Sequence, residues 1–480
     1  MPGQINLVAG VDTSTQATKV LVVDPEDGRV VAAGRAPHEV TGTGGARETD
    51  PENWWGALTA ALGETGHARD VSAISIAGQQ HGLVALDGDG RPLRPAILWN
   101  DTRSAAEARE LTEALGGGGE WAERIGLVPV PSFTATRWAW LRRHEPAVAD
   151  AASSVRLPHD FVTERLCGRG ATDRGDASGT AWWSTRDEGY ADEVLDVIDL
   201  DRALLPEVLG PREPAGEVVA SAARELGLRE GTLVGPGTGD NMGAALGLGA
   251  AAGEPVVSLG TSGTAYAVMD QRAVDASGTV AGFADASGRF LPLAATLNAT
   301  LAVDRVADWL DLDREAAAER TAAVVLPYLD GERTPNLPRA AGMIAGLRHA
   351  TTREEILLAA YEGAAASLVE ALDLLAGQGS GLESEAPLLL VGGGARGGVW
   401  QRVVARLSGR PVQVPDAEEL VALGAAAQAA ACLSGEPPDE VARRWGTRDG
   451  ITVEPPAERD VETLDRIRAT RDAALRLLGE

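Results

Sequence analysis

A single carboxylate set among glycines is the first residue in this chain whose placement suggests chemistry. In GTLVGPGTGDNMGAALGLGA (231–250) the apolar TLV runs into a glycine-rich turn that holds Asp240, and no basic residue stands in the segment. A carboxylate left free of a cation can accept a proton from a hydroxyl brought within hydrogen-bond reach. The glycines around it would let two reactants come close. The same residues also suit a turn or the N-cap of a helix over 241–250, and local sequence alone favours that plainer role.

Two hydroxyl-rich turns offer a place for phosphate. Thr13, Ser14 and Thr15 follow the apolar LVAGV, and Gly260, Thr261 and Ser262 follow VVSL. Successive backbone amides in such turns form an anion-binding concavity that needs no lysine, although each is equally an ordinary β-turn. Asp12, just before the first turn, is placed to hold Mg²⁺, directly or through water, because magnesium takes oxygen ligands and keeps several waters. A third turn, Gly392, Gly393 and Gly394, continues to Gly397 and satisfies GxGxxG between an expected strand and helix, with Asp416 after the next strand. That pattern resembles a dinucleotide site. It equally lets a backbone approach an adenosine.

Other chemistries are absent from the sequence. There is no GxxxxGK[ST], and the chain's single lysine, Lys19, sits in QATKV, which excludes a Walker loop and a VAIK kinase setting. HExxH does not occur, the histidines show no ligand spacing, and GTSG is not a nucleophile elbow. Asp87-Gly88-Asp89-Gly90 lacks the remaining acids of a calcium loop and reads as a hairpin turn.

The elements that would carry these turns can be read from periodicity. NLVAGVDTSTQATKVLVVDPEDGRVVAAGRAP reads as consecutive strands joined by short polar turns, hence antiparallel hairpins. DPENWWGALTAALGE has helical spacing with Pro51 at its start. VSAISIAGQQHGLVALDGDGRPLRPAILWNDTR returns to strands. EPVVSLGTSGTAYAVMD then repeats the opening hairpin, laying Asp12-Thr13-Ser14-Thr15 over Gly260-Thr261-Ser262-Gly263. The repeat predicts a duplicated architecture with lobes over 1–245 and 246–480. EEILLAAYEGAAASLVEALDLLAG predicts a long helix ending at Gly377, and the segment from LLLV to AAAQAA predicts strand, glycine turn, helix, strand, helix. The charged tail after Pro456 predicts a surface helix.

Bulk composition narrows the partners. At 480 residues the chain expects two or three domains, and its hydrophobic content of 44% supplies a large core. Seventy acidic against 43 basic residues leave a net charge of −27, which repels nucleic acid and anionic membranes. Two unpaired cysteines, Cys167 and Cys432, and an amino terminus without a basic segment or long apolar stretch point to a cytoplasmic protein. A homodimer is the expected assembly.

Taken together, IAGQQHG, ILWND, VPSFTATRWAWL, GTGDN, SLGTSG, LPYLDGERTP, GMIAGLRHATTREEILLAAYEG and LLLVGGGAR resemble, nearly end to end and in order, the FGGY family of carbohydrate kinases. The resemblance implies a two-lobed α/β fold of the actin-like ATPase (ribonuclease H-like) type, with duplicated domains around a central cleft. It implies that Asp240 is the catalytic base, that Gln80 and His81 hold the sugar's hydroxyls, and that Asn241 assists. Asn100 and Asp101 are further contacts. Thr13, Ser14, Thr15, Gly260, Thr261, Ser262, Gly392, Gly393 and Gly394 would serve ATP, and Asp12 Mg²⁺. AGQQHG with ILWND points within the family to D-xylulose as acceptor, giving D-xylulose 5-phosphate. Ser14 replaces the family's usual glycine and Arg137 its usual lysine, and Arg and Lys are not equivalent at a geometry-sensitive contact. Trp54-Trp55 and Trp182-Trp183 are expected to pack in the core, with a sugar-site wall as the alternative.

Three rival readings stay open. One is a relative acting on ribulose, fuculose, gluconate or glycerol. Another is an NAD(P)-dependent oxidoreductase built on the 392 turn, which leaves both hydroxyl-rich turns unexplained. The third is a non-catalytic ATPase of the actin or chaperone kind, against which Asp240 argues.

Overall fold

The computed structural model describes residues 6–478, so the first five residues of the amino-terminal expectation lie outside it. The opening hairpins form as the alternation dictates. β1 (Leu7–Thr13), β2 (Ala17–Val23) and β3 (Val30–Pro37) pair antiparallel in sequence. α1 (Pro51–Thr65) follows, started by the Asp50 side chain accepting from Glu52 N–H and stopped by Gly66 in the left-handed region. It carries the chain across the sheet, so β4 (Val71–Gly78) lies parallel to β1 on its other side. Short polar turns announce hairpins, whereas this parallel neighbour depends on the crossover helix.

A long excursion then leaves the sheet and returns through β5 (Leu233–Val234) and β6 (Thr238–Gly239), both parallel to β4. It includes α2 (Thr134–His144), α3 (Pro158–Cys167) and the short α4 (Arg174–Ser178). α5 starts at Asp240 itself and runs to Gly247, with Gly239 as its cap. The helix is therefore displaced from the expected 241–250: Asp240 is its first residue and not its N-cap.

The second half repeats the first. β7 (Pro255–Leu259), β8 (Gly263–Ala267), β9 (Val280–Ala284) and β10 (Phe290–Thr296) are followed by α6 (Thr300–Leu310) and α7 (Arg353–Ala376). Then come β11 (Leu388–Val391), α8 (Gly398–Ser408), β12 (Val412–Pro415), α9 (Leu420–Ser434), β13 (Gly450–Val453) and α10 (Val461–Leu478). The first sheet contains the order β3-β2-β1-β4-β5 and the second β10-β8-β7-β11-β12. In both, the first three strands are antiparallel neighbours and the last two lie parallel to the hairpin's first strand. The duplication is topological, not merely a shared alternation.

Both expected helices form, each with a detail the sequence does not show. Gly377 stands at the C-cap of α7 in right-handed conformation, with its N–H on Leu374 O, so no left-handed stop is used. α10 is a surface helix that turns Leu464, Ile467 and Ala474 into the core. Both tryptophan pairs are buried packing residues. No helix among the described residues is long and apolar enough to cross a membrane.

The two halves meet through α5 and α9. α9 follows the second sheet but packs on β1 and β4 of the first. Its close approach is built from glycine: a Cβ on Gly10 would overlap the Ala422 carbonyl oxygen, and one on Gly424 the Gly243 carbonyl oxygen. Ser75 Oγ donates to Gln428 Oε1 at 2.6 Å, and Gln428 Nε2 donates to Gly237 O at 2.9 Å, so polar groups buried between the halves are satisfied. Gly424→Ala is expected to destabilise the protein by about 1–3 kcal/mol through overpacking. Gly56→Ala, on an open face of α1, should instead stabilise by about 0.5–1 kcal/mol, because alanine loses less freedom in a helix. Chemical denaturation of the two variants checks the contrast, and equal shifts would remove the glycine crossing as its cause.

Candidate active site

Strand pairing assembles the site. β6 pairs with the end of β4, placing Gly239 opposite Gly78, so Asp240 emerges beside Gln79, Gln80 and His81. Gly239 must be glycine here, since a Cβ would sit 2.7 Å from Gln80 Cγ. Asp240 Oδ1 accepts from Asn241 N–H at 2.8 Å and from Asn241 Nδ2 at 2.9 Å, and the same amide donates to Gln80 Oε1 at 2.8 Å. Asn241 thus links the carboxylate to Gln80. Burial pushes the Asp240 pKa up to about 6, with the two Asn241 bonds opposing.

These residues face a cavity of about 260 Å³ shared by both halves. Gln80, His81, Trp99, Phe133, Asp240 and Asn241 come from the first half; Ser262, Thr264, Phe283, Thr296, Leu297 and Arg333 come from the second. His81 has φ of 66°, and its ring lies against Phe133 and Phe283 at centroid distances of 5.1 and 5.6 Å. Burial, then the charges of Arg137 and Arg333, lower its pKa to about 3, so the imidazole is neutral.

Arg137 explains itself once the backbone is seen. Its guanidinium is buried, donating to His81 O and Trp99 O at 2.7 Å each and to Ser132 O. One planar fork therefore fixes three cavity-lining residues, which a point-like ammonium would do less completely. Burial pulls its pKa down from the usual arginine range.

Asn100 and Asp101 are not brought to this cavity. Asp101 is buried and occupied, accepting from Arg47 N–H and from the Arg103 guanidinium, which hold its pKa below the usual carboxylate range despite burial. Asn100 lies beside it, outside the lining. The member of ILWND that faces the cavity is Trp99, whose Nε1 also donates to Thr15 Oγ1 at 3.1 Å. An aromatic residue within a stretch already suspected of sugar contact was the available signal. Arg333, in GERTP, carried none beyond its charge.

A second cavity, about 440 Å³, opens beside the first hairpin. It is lined by Asp12, Lys19, Ser258, Gly392, Gly393 and Glu419, among others. Gly392 has φ of +88°, and a Cβ there would press on Leu259 O at 2.7 Å; a Cβ on Gly393 would meet nothing within 4 Å, leaving that backbone open to a ligand. Gly394 closes the turn with its N–H on Leu259 O at 3.0 Å. The GxGxxG run is thus real as a turn, but its sheet is mixed, with antiparallel β8–β10, and is not a doubly wound dinucleotide sheet. Lys19 Nζ lies 2.5 Å from Glu419 Oε2 and 3.5 Å from Asp12 Oδ2.

Of the two hydroxyl turns, the first is closed by Ser14 N–H and Oγ donating to Ala17 O at 3.1 and 2.9 Å. Ser14 does not adopt positive φ, which is why a side chain is tolerated at that turn. Thr13 is fully buried and its N-terminal hairpin is tied to the sugar cavity by Gln79 N–H on Thr13 O at 3.0 Å. In the second, Gly260 N–H donates to Ser262 O at 2.9 Å, and Thr261 O accepts from Ala299 N–H at 3.3 Å. Ser262 faces the same cavity as Asp240.

A duplicated five-strand order, with a hairpin heading each half and a cavity lined from both halves, defines the actin-like ATPase class of two-lobed α/β proteins. Family models for the N-terminal and C-terminal domains of the FGGY family of carbohydrate kinases match residues 7–247 and 256–433. A xylulose kinase of Streptomyces rubiginosus is 60% identical over 98% of this chain and 97% of its own. Among solved structures, a xylulose kinase from Bifidobacterium adolescentis is 36% identical with a TM-score of 0.85, covering 97% of this chain and 99% of its own. One from Brucella ovis is 29% identical with a TM-score of 0.91, covering 98% and 100%. The chain belongs to the FGGY family of carbohydrate kinases and is a carbohydrate kinase.

Proposed function

We propose that the protein transfers the terminal phosphoryl group of ATP to the end hydroxyl of D-xylulose, giving ADP and D-xylulose 5-phosphate. The names of its close relatives support that acceptor. The observation that carries the reading is that Asp240 and Ser262, one from each half, line one cavity, while Asp12 stands close enough to Asp240 for their charges to oppose each other. A sugar lying on Gln80, His81 and Asn241 would present its hydroxyl to Asp240, with the phosphate turns on the far side. Gly392, Gly393 and Gly394 would leave room for the nucleoside.

Asp240 would accept the hydroxyl proton as the bond to phosphorus forms. Phosphoryl transfer depends mainly on in-line positioning and charge neutralisation, so a carboxylate of pKa near 6 suffices. Neutral His81 can exchange hydrogen bonds with sugar hydroxyls without adding charge. Closing the two halves would exclude water as a competing acceptor.

A divalent cation fits the donors present. Asp12 Oδ1 is buried with no hydrogen-bond partner, and no cluster of three or more His, Cys, Asp or Glu side chains suited to a metal occurs among the described residues. One carboxylate with ligand phosphates and waters is how Mg²⁺ is commonly held. When bound, Mg²⁺ neutralises phosphate charge.

The lobe boundary we place between residues 245 and 246, within the last turn of α5 and before β7 begins. Both cysteines are free thiols, which suits the cytoplasm.

Assay of purified protein with ATP against D-xylulose, ribulose, fuculose, gluconate and glycerol, with product identification, tests the acceptor; preference for any other overturns it. The pH profile tests the base. Because Asp240 must be deprotonated to act, kcat/KM should be level above about pH 6 and fall about tenfold per unit below it. A profile flat from pH 7 to pH 5 would exclude Asp240 as the base.

A further inference from the structure

The sugar cavity and the first phosphate turn are joined by a hydrogen bond that the reaction as described leaves without a use. Trp99 lines the sugar cavity, and Thr15 sits in the turn that follows Asp12, a residue of the larger cavity. The indole Nε1 donates to Thr15 Oγ1 at 3.1 Å. The backbone that carries the indole is fixed: Trp99 O accepts from the Arg137 guanidinium at 2.7 Å, and Leu98 N–H donates to Arg47 O at 2.9 Å. The side chain is nonetheless 37% exposed, so core packing does not account for its placement.

The hydroxyls of that turn are not equivalent. Thr13 is fully buried. Ser14 Oγ donates its proton to Ala17 O at 2.9 Å, closing the turn. Thr15 Oγ1 instead accepts, because an indole N–H only donates. Its own proton goes to no acceptor among the described residues. A hydroxyl has one proton and two lone pairs, so the indole occupies one lone pair and restricts the O–H to the directions that remain. Accepting that bond also polarises the hydroxyl and strengthens its own donation. A phosphate oxygen, which accepts, is the complement of such a group. A donor held in place beforehand needs no reorganisation as charge develops.

Resting on the reading of this turn as a phosphate site, we infer that Trp99 is a positioning residue that orients the Thr15 hydroxyl toward the phosphates of ATP. It acts on the nucleotide only through Thr15. One side chain then borders the cavity of the acceptor and, through its N–H, steers a donor of the phosphate turn.

The test is a double-mutant cycle in the full chain, assayed with ATP and D-xylulose, on Trp99→Phe, Thr15→Val and the pair. Phenylalanine keeps an aromatic wall and removes the N–H, while valine keeps the branched shape and removes the hydroxyl. Both positions are partly exposed, so neither replacement opens a cavity in the core. At saturating D-xylulose, kcat/KM for ATP should fall about 10–100-fold in Thr15→Val, the loss of a hydrogen bond to a charged group. Trp99→Phe should lower it about 3–10-fold, the loss of a neutral one. In the Thr15→Val background the same replacement should cost less than about twofold, because its partner is gone. Thr15→Ser, which keeps the hydroxyl, should bring the Trp99→Phe effect back to about 3–10-fold. The KM for D-xylulose should stay within about threefold in Trp99→Phe, since the aromatic wall remains. Losses that simply multiply, or a Trp99→Phe effect confined to the KM for D-xylulose, would make Trp99 a wall of the sugar cavity alone and overturn the assignment. Unchanged ATP kinetics in Thr15→Val would overturn it differently, by removing the turn from the phosphates. If the acceptor panel selects a sugar other than D-xylulose, the same cycle run with that sugar decides the role of Trp99, while the choice of D-xylulose falls separately.

Discussion

Asp240→Asn is expected to lower kcat for sugar phosphorylation by about 10²–10⁴-fold, the usual contribution of a positioned general base. Asparagine keeps the shape and the partners. Oδ1 of the present carboxylate is held by two Asn241 bonds, while Oδ2 accepts no hydrogen bond among the described residues. An amide can preserve the first contact and still lack a basic oxygen to offer the sugar. Nucleotide affinity should remain within about twofold, because Asp240 does not line the cavity that holds Gly392 and Gly393. The acid limb of the pH profile should vanish with the base. Residual turnover within a factor of about ten of wild type, or an unaltered limb, would mean that another group takes the proton.

The fold was legible where local chemistry is sufficient. Alternation and short polar turns announce both hairpins, and their matching hydroxyl turns announce the repeat. What stays hidden is long-range pairing: nothing in SISIAG says that β4 lies parallel to β1 across α1. The candidate site divides along the same line. Asp240, Asn241, Gln80 and His81 come together because β6 pairs with β4, and each belongs to a short polar motif that can be suspected in isolation. Asp101 looks the same in sequence, but Arg103 and Arg47 occupy it, and a buried ion pair is invisible until both partners are placed. Trp99 and Arg333 escaped for the opposite reason. An aromatic or an arginine has so many structural uses that only its direction, toward a cavity, distinguishes it. Arg137 shows the converse, a basic residue in a suspected motif that acts on backbone carbonyls and never reaches the cavity itself.

Replacing Asp12 should separate activity from stability, because the same burial that suits it to a cation makes it a liability without one. Its side chain is nearly inaccessible, Oδ1 has no partner, and the nearby Lys19 is closer to Glu419 than to it. Burial pushes its pKa up to about 7, with Lys19 opposing and Asp240 and Glu419 adding to the rise. Between the ordinary value of 3.8 and about 7 the folded protein therefore holds a proton that the unfolded chain has lost. Stability must then fall as pH rises through that window, and above it the ionised carboxylate, only partly compensated by Lys19 at 3.5 Å, persists as a cost. Asp12→Asn removes that titration. Without ligands at pH 8, the variant should melt at a higher temperature than wild type, and the difference should shrink toward pH 4. In the presence of ATP and Mg²⁺ its kcat should fall by about 10²–10³-fold, the loss expected when one electrostatic contact to the transferring group is removed. A variant that is both less stable at pH 8 and fully active would show that Asp12 is merely a structural partner of Lys19. A variant more stable and nearly inactive would place the cation's carboxylate at Asp12.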